Sequence, residues 1–530
     1  MEVLYLLASI PKEKLVGNFP SDIFDKDIYK LLDVRYIESM EWQAFAAFLL
    51  RGWFTRIWVV QETWAARNIV VFIANHTIPW ASITAAIRVL KATKLDELLN
   101  KEVEIIVNGV APTTRYVGNK ISNLAIFEDI IQGQEELDLE RLLTSSRYFN
   151  ATNLEDKVFA VRGMWNPRLK LQGKTAKEWL PQELGMKVEK AYIMASVVSM
   201  REMGDINLLS HVEDRSTRML QGLPSWVPDY SVTPVMTPLQ GIPRPDEEDR
   251  RWHASEGLEW TAPSDDAGKD GKWEVNGFHF DTIIDRAATE VEITDNHSMH
   301  TVLELFRKAL DYCVNHASRE ETREEFWRAL IKDTFRGKPA GAEALEAFPL
   351  LFTAHLWQLK EVMKTMQTPF HENENDSDSE MEIDYLTVGR RTLSDLEIAH
   401  SRTESLILDL SSRERMSVVS SWETMEHMIE RGEELSENVE LGLIVDSFHS
   451  AYVGRRMFRT AENHLGIAAE SIESGDQIWI LSGASVPMLL RKAGDGNWKL
   501  VGEAYVYGVM NGELVTNRGT DCPLSSLVLV

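Results

Sequence analysis

The chain has 530 residues, 44% of them hydrophobic and 26% charged, values of a packed globular protein long enough for three or four folding units of ~150 residues. Its 56 basic and 82 acidic residues leave a net charge of −26, so the average surface repels phosphate backbones and anionic lipid headgroups. No Lys/Arg-rich run and no nucleic-acid motif offsets this, so nucleic acid is not expected as a partner, although a local basic patch could exist.

Along the chain, Trp42, Phe45, Ala46, Leu49 and Trp53 recur at helical spacing. Arg56 to Ala66 suits a second helix, Asn68 to Ala74 a short buried strand, Asn75-His76 a turn, and Ala81 to Leu99 a third helix. Residues 1–95 thus read as an α/β fragment too small for a complete sheet. Residues 96–235 read as a helical region, broken by the polar stretch Tyr148 to Asn153. Prolines from Pro224 to Pro245 exclude regular helix, and 236–272 reads as a linker or long loop. Residues 273–365 predict a strand pair turning at Asn276-Gly277, then a helical region with Phe326, Trp327, Leu330 and Ile331 on one face. His371 to Asp384 carries seven acidic residues and no basic one, so 366–395 is expected to be disordered. Within it, Ser377 and Ser379 each precede an acidic residue by three positions, which makes them candidate regulatory phosphorylation sites. Residues 396–450 read as helical. Residues 451–530 hold short alternating runs spaced by glycines, with Gly475-Asp476 and Asp495-Gly496 as hairpin corners, and predict a small antiparallel β barrel or sandwich. The fold class is α+β, multidomain.

Two cysteines, Cys313 and Cys522, are too few for a disulfide framework or a structural zinc site; they read as buried thiols in a reducing compartment. The apolar start at Met1 lacks a basic n-region, and no run is long enough to span a membrane, so a cytoplasmic location is expected. No Walker loop, dinucleotide fingerprint, His-Glu-x-x-His or nucleophile elbow occurs. His297 and His300 lack a third ligand, so no metal is expected.

The densest chemistry lies between Trp53 and Trp64. Trp58 and Glu62, four residues apart, share a helix face. A carboxylate beside a large aromatic either acts as an acid or base, or orients a ribose hydroxyl, or is a structural Glu paired with Arg51 or another arginine.

Trp53-Phe54-Thr55-Arg56-Ile57-Trp58-Val59-Val60-Gln61-Glu62 resembles the Trp-Phe-x-Arg-x-Trp-x-x-Gln-Glu signature of the fungal heterokaryon incompatibility (HET) domain family. Asn153 to Ala160 and Leu223-Pro224-Ser225-Trp226-Val227-Pro228-Asp229-Tyr230 resemble two further family segments. Glu325 to Arg328 resembles a family helix, and Gly475 to Gly508 the family's C-terminal β module. The family's opening strands are not found, so the chain is expected to be an N-terminally truncated member beginning in the last third of the domain.

The resemblance implies a part in non-self recognition and programmed cell death, with protein partners such as HET-family or other incompatibility proteins. The HET domain is similar to TIR domains, some of which cleave NAD with a Trp-x-x-x-Glu glutamate, and this implies a partial TIR-like remnant with Glu62 as catalytic candidate. Trp53, Arg56, Trp58 and Gln61 are the binding candidates. The leading expectation is an interaction protein without catalysis or cofactor. The rivals are an NAD glycohydrolase using Glu62, with NAD as its cosubstrate, and a decoy that regulates full-length HET proteins.

Overall fold

The computed structural model describes residues 2–15, 26–49, 51–93, 95, 137–166, 175–183, 185–240, 252–263, 267–268, 270–296, 299–316, 319–335, 338–367, 400–405, 423, 427, 439–518 and 523–530. Ser377, Ser379, the acidic segment around them and Cys522 lie outside these residues.

The N-terminal part runs α1 (Glu2–Ala8), α2 (Asp27–Leu32), α3 (Ser39–Leu49), α4 (Ile57–Ala65), β1 (Val70–Ile73), β2 (His76–Pro79) and α5 (Trp80–Thr93). The periodicity of α3 is realised: Trp42, Phe45, Ala46 and Leu49 are all buried. Helix α1 packs along α5, sinking Val3, Leu4 and Leu7. The strand expected to be buried is not. β1 alternates exposed and half-buried positions, Phe72 is 75% exposed, and its antiparallel partner is β2 alone among the described residues. A two-residue turn at Ala74-Asn75 makes this ribbon local, so β1 has no sheet to enter.

The middle holds α6 (Leu139–Ser146), α7 (Asp156–Arg162), α8 (Ala176–Trp179) and α9 (Val188–Met203). Asp138 caps α6 by accepting from the Arg141 amide at 2.7 Å, and α9 stops at Gly204 in the left-handed region. Residues 224–240 of the proline-rich stretch have no helix, yet Trp226, Val227 and Tyr230 are fully buried. Within the segment read as a linker or long loop, the described Trp252 and Ala254 are buried, and the Trp252 ring lies 5.7 Å from that of Tyr505.

Next come β3 (Trp273–Arg286), α10 (Glu290–Asn296), α11 (His300–His316), α12 (Arg319–Leu330), the short ribbon β4 (Thr334–Phe335) and β5 (Lys338–Pro339), α13 (Ala342–Gln367) and α14 (Val439–Tyr452). The chain ends with β6 (Arg455–Thr460), β7 (Leu465–Ala469), β8 (Gln477–Leu481), β9 (Met488–Lys492), β10 (Trp498–Val506), α15 (Glu513–Arg518) and β11 (Ser525–Leu529). The sheet order β10-β7-β6-β3-β8-β9 closes through a β9–β10 pairing, and β11 bridges β3 and β10, so the β module is a barrel. Ile283, Phe458, Ala468, Ile478, Leu489 and Val506 form a buried cluster within it.

Two turn expectations are corrected by this topology. Asn276-Gly277 lies inside the single strand β3, which pairs with β11, β8 and β6 rather than folding back on itself. Gly277 is needed there because a Cβ would stand 2.5 Å from the Ile480 carbonyl oxygen. Gly475-Asp476 leads from β7 into β8, strands that do not pair, whereas Asp495-Gly496 does turn the β9–β10 hairpin. No described helix is long and apolar enough to cross a membrane.

Candidate functional site

The sequence segments that carry the resemblance meet in space. Arg56, extended, caps α4, and the Ile57 amide donates to the Asn150 carbonyl at 2.9 Å, tying the start of α4 to the break after α6. Helix α4 then lies on α7. The Trp58 indole N–H donates to Asp156 Oδ2 at 3.0 Å, and Gln61 covers Gly163, where a Cβ would stand 2.1 Å from Gln61 Nε2. Val59, Val60 and Thr63 face the core.

Behind α7 is a buried knot of charge. Lys157 Nζ donates to the carbonyls of Ser146, Arg147 and Phe149. Arg147, fully buried, donates to the carbonyls of Val232 and His211 and pairs with Glu213. Both Glu213 oxygens accept from the Asp229 amide at 2.9 Å. Asp229 in turn accepts from the amides of Met219, Leu220 and Ser231. Tyr230 shares a 3.0 Å hydrogen bond with Ser196, and Tyr192 donates to the Leu154 carbonyl at 2.9 Å. Burial, reinforced by the neighbouring Arg147 charge and partly offset by Asp229, pulls the Lys157 ammonium down to about 7. Burial likewise pushes the phenols of Tyr192 and Tyr230 up.

This knot joins the Asp156-Lys157 segment to the Leu223–Tyr230 segment, and the latter runs on to the barrel. The Ser225 amide donates to the Val530 carbonyl at 2.9 Å, and Ser225 Oγ accepts from the Leu500 amide at 2.9 Å. A second buried pair, Arg455 with Glu503 at 2.8 Å, fixes the following residues: Arg455 donates to the Thr237 carbonyl, and Glu503 accepts from the Leu239 amide. Helix α12 reaches the barrel through Glu325 and His464, 3.1 Å apart. Its Phe326 and Trp327 are buried.

The proposed site residues fall into two groups. Trp58 and Gln61 are contacts of α4 with α7. Trp53 is 36% exposed and stands edge-on to Trp80, and the Arg56 side chain is exposed. Glu62 is exposed, neither buried nor paired with Arg51 or any other described arginine, and its carboxylate makes no hydrogen bond to a described residue. Cavities of about 520, 400 and 60 Å³ occur among the described residues, and Glu62 lines none of them. No cluster of described His, Cys, Asp and Glu side chains has the makings of a metal site. Sequence reasoning passed over Arg147 and Glu213. No spacing rule separates them from solvated charges, and the only available signal was their position beside segments already singled out.

Comparison with known proteins fits this arrangement. The family described as the Het-6 beta-barrel domain matches residues 380–521, which contain β6 to β10 but not β3 or β11. Heterokaryon incompatibility protein 6, OR allele, of Neurospora crassa is 34% identical over 64 residues. That stretch is 12% of this chain and 9% of the Neurospora protein, so the chain matches less than a tenth of that relative's length. No solved structure matches. The chain is thus similar to heterokaryon incompatibility proteins both in its barrel region and in a short aligned stretch.

Proposed function

We propose that this protein acts in fungal heterokaryon incompatibility, as a cytoplasmic non-self recognition component coupled to programmed cell death, and that it works by binding other proteins rather than by catalysis. The supporting observation is the state of α4. The signature residues Trp58 and Gln61 serve as packing contacts, and Glu62 stands in water outside the three cavities described above, without the burial or charge partner that tunes a catalytic carboxylate. Beside it, Trp53, Trp58, Val70 and Phe72 leave apolar surface exposed on α4 and the β1–β2 ribbon, a surface suited to another incompatibility protein.

The NAD glycohydrolase reading keeps one point in its favour: Trp58 and Glu62 both reach solvent on the same side of α4. Induced expression in a filamentous fungus, with Glu62→Ala and Phe72→Asp copies alongside, separates the two. Growth arrest that survives Glu62→Ala and is relieved by Phe72→Asp supports recognition through binding. Arrest relieved by Glu62→Ala, with nicotinamide released from NAD by the purified parent and not by the variant, replaces it with the enzymatic reading. Normal growth with the parent chain removes the cell-death coupling and leaves co-purification with a second incompatibility protein as the test of binding.

A further inference from the structure

We propose that the recess between the Leu223–Ser225 loop and the barrel binds a small phosphate-bearing polyanion, an inference that does not depend on the recognition reading above. The recess holds about 400 Å³, a volume suited to a small molecule, and its walls include Arg215, Arg218, Lys272, Arg491 and Lys499. Among the described lining residues only the side chains of Glu213 and Asp270 oppose them. In a chain of net charge −26, such a concentration of cations is against the average.

The carboxylates nearby are already used. Glu213 is shared between Arg147 and Arg218, whose Nε lies 3.6 Å from it. Arg218 is 91% buried by side chain, and its terminal nitrogens donate to the carbonyls of Leu223, Pro224, Ser225 and Val227, but Nε makes no hydrogen bond. Arg491 is held by both oxygens of Asp476, at 2.7 and 2.8 Å, and by Glu473.

Arg215, Lys272 and Lys499 then remain as exposed cations that pair with no described carboxylate. Lys499 also sits directly opposite Arg491 in the antiparallel β9–β10 pairing, which adds its charge to the same rim. Three rim cations without a described carboxylate partner and a cross-strand cation pair converge on one concave site. Phosphate oxygens suit these cations, and the apolar residues Leu223, Pro224, Leu500 and Val501 in the same lining leave room for an uncharged body.

The test is calorimetric titration of the full chain at low salt with pyrophosphate, ATP and inositol hexakisphosphate, each against the parent, Lys272→Glu/Lys499→Glu, and a charge-matched control, Lys12→Glu/Lys177→Glu. Binding by at least one probe is expected, weakening with added salt, unchanged in the control and about tenfold or more weaker in the recess variant. Both substitutions are at exposed positions, and an unchanged melting temperature certifies the fold; if the variant melts early, Lys499→Gln alone supplies the comparison. No binding by any probe at millimolar concentration, or binding that the recess variants leave intact, overturns the proposal.

Discussion

The indole N–H of Trp58 donates to Asp156 Oδ2 at 3.0 Å, joining residues 98 positions apart in the chain. It is the point at which the first segment of the resemblance touches the second. Because both partners reach solvent, Trp58→Phe is expected to cost about 1 kcal/mol. Denaturant midpoints of Trp58→Phe, Asp156→Ala and the double variant will show coupling between the two sites. Additive losses would mean that the bond contributes nothing of its own.

Lys157 predicts a pH dependence. Its ammonium is held down to about 7 from 10.5 by burial, with the Arg147 charge adding to the effect, so from pH 7 upward the folded chain binds fewer protons there than the unfolded chain. Its contribution to stability therefore rises between about pH 7 and 10. Above pH 10 the raised phenols of Tyr192 and Tyr230 act in the opposite sense, because the folded chain retains protons that the unfolded chain releases. Lys157→Met strands carbonyls at about 1–3 kcal/mol each and flattens the rise. Urea denaturation at pH 6.5, 8 and 9.5 reads both effects; a variant with the parental slope would contradict them.

The Arg455–Glu503 pair is buried at both ends. Arg455→Met leaves a carboxylate stranded in the interior and is expected to cost about 3–5 kcal/mol, while Arg455→Met/Glu503→Gln costs less than the sum of the single changes. Melting temperatures of the four proteins check this.

Gly277→Ala places a methyl 2.5 Å from the Ile480 carbonyl and against Leu481 in the neighbouring strand. Strand β3 must move away from β8, at about 2 kcal/mol or more. Gly496→Ala, in an open turn, serves as a milder comparison carrying only the positive-φ strain. Equal destabilisation of the two would sink the close-approach explanation.

What could be read from the sequence was what short range determines. The spacing of Trp42, Phe45, Ala46 and Leu49 gave the buried face of α3, and the Asp495-Gly496 turn gave a true hairpin. Asn276-Gly277 misled because the local signal for a turn is the same whether glycine is required by its own φ or by a carbonyl of a strand 200 residues further on. The prolines of 224–238 excluded helix correctly but said nothing about burial, since Trp226 and Tyr230 are covered by partners remote in sequence. The charged knot was hidden for the same reason. Arg147 and Glu213 are 66 residues apart, and composition treats each as a surface charge.

The origin of β3 sets an order of events during synthesis. About 170 residues separate Arg286 from Arg455, where the next described barrel strand begins. At 5–20 residues per second a ribosome needs roughly 10–30 s to cross that interval, during which β3 has left the exit tunnel with no barrel neighbour available. The barrel therefore cannot close until β6 to β10 have been made, and β11 follows them. A nascent chain stalled in this interval would carry two open strand edges, the state most prone to capture by chaperones or to pairing with a second nascent chain on the same message.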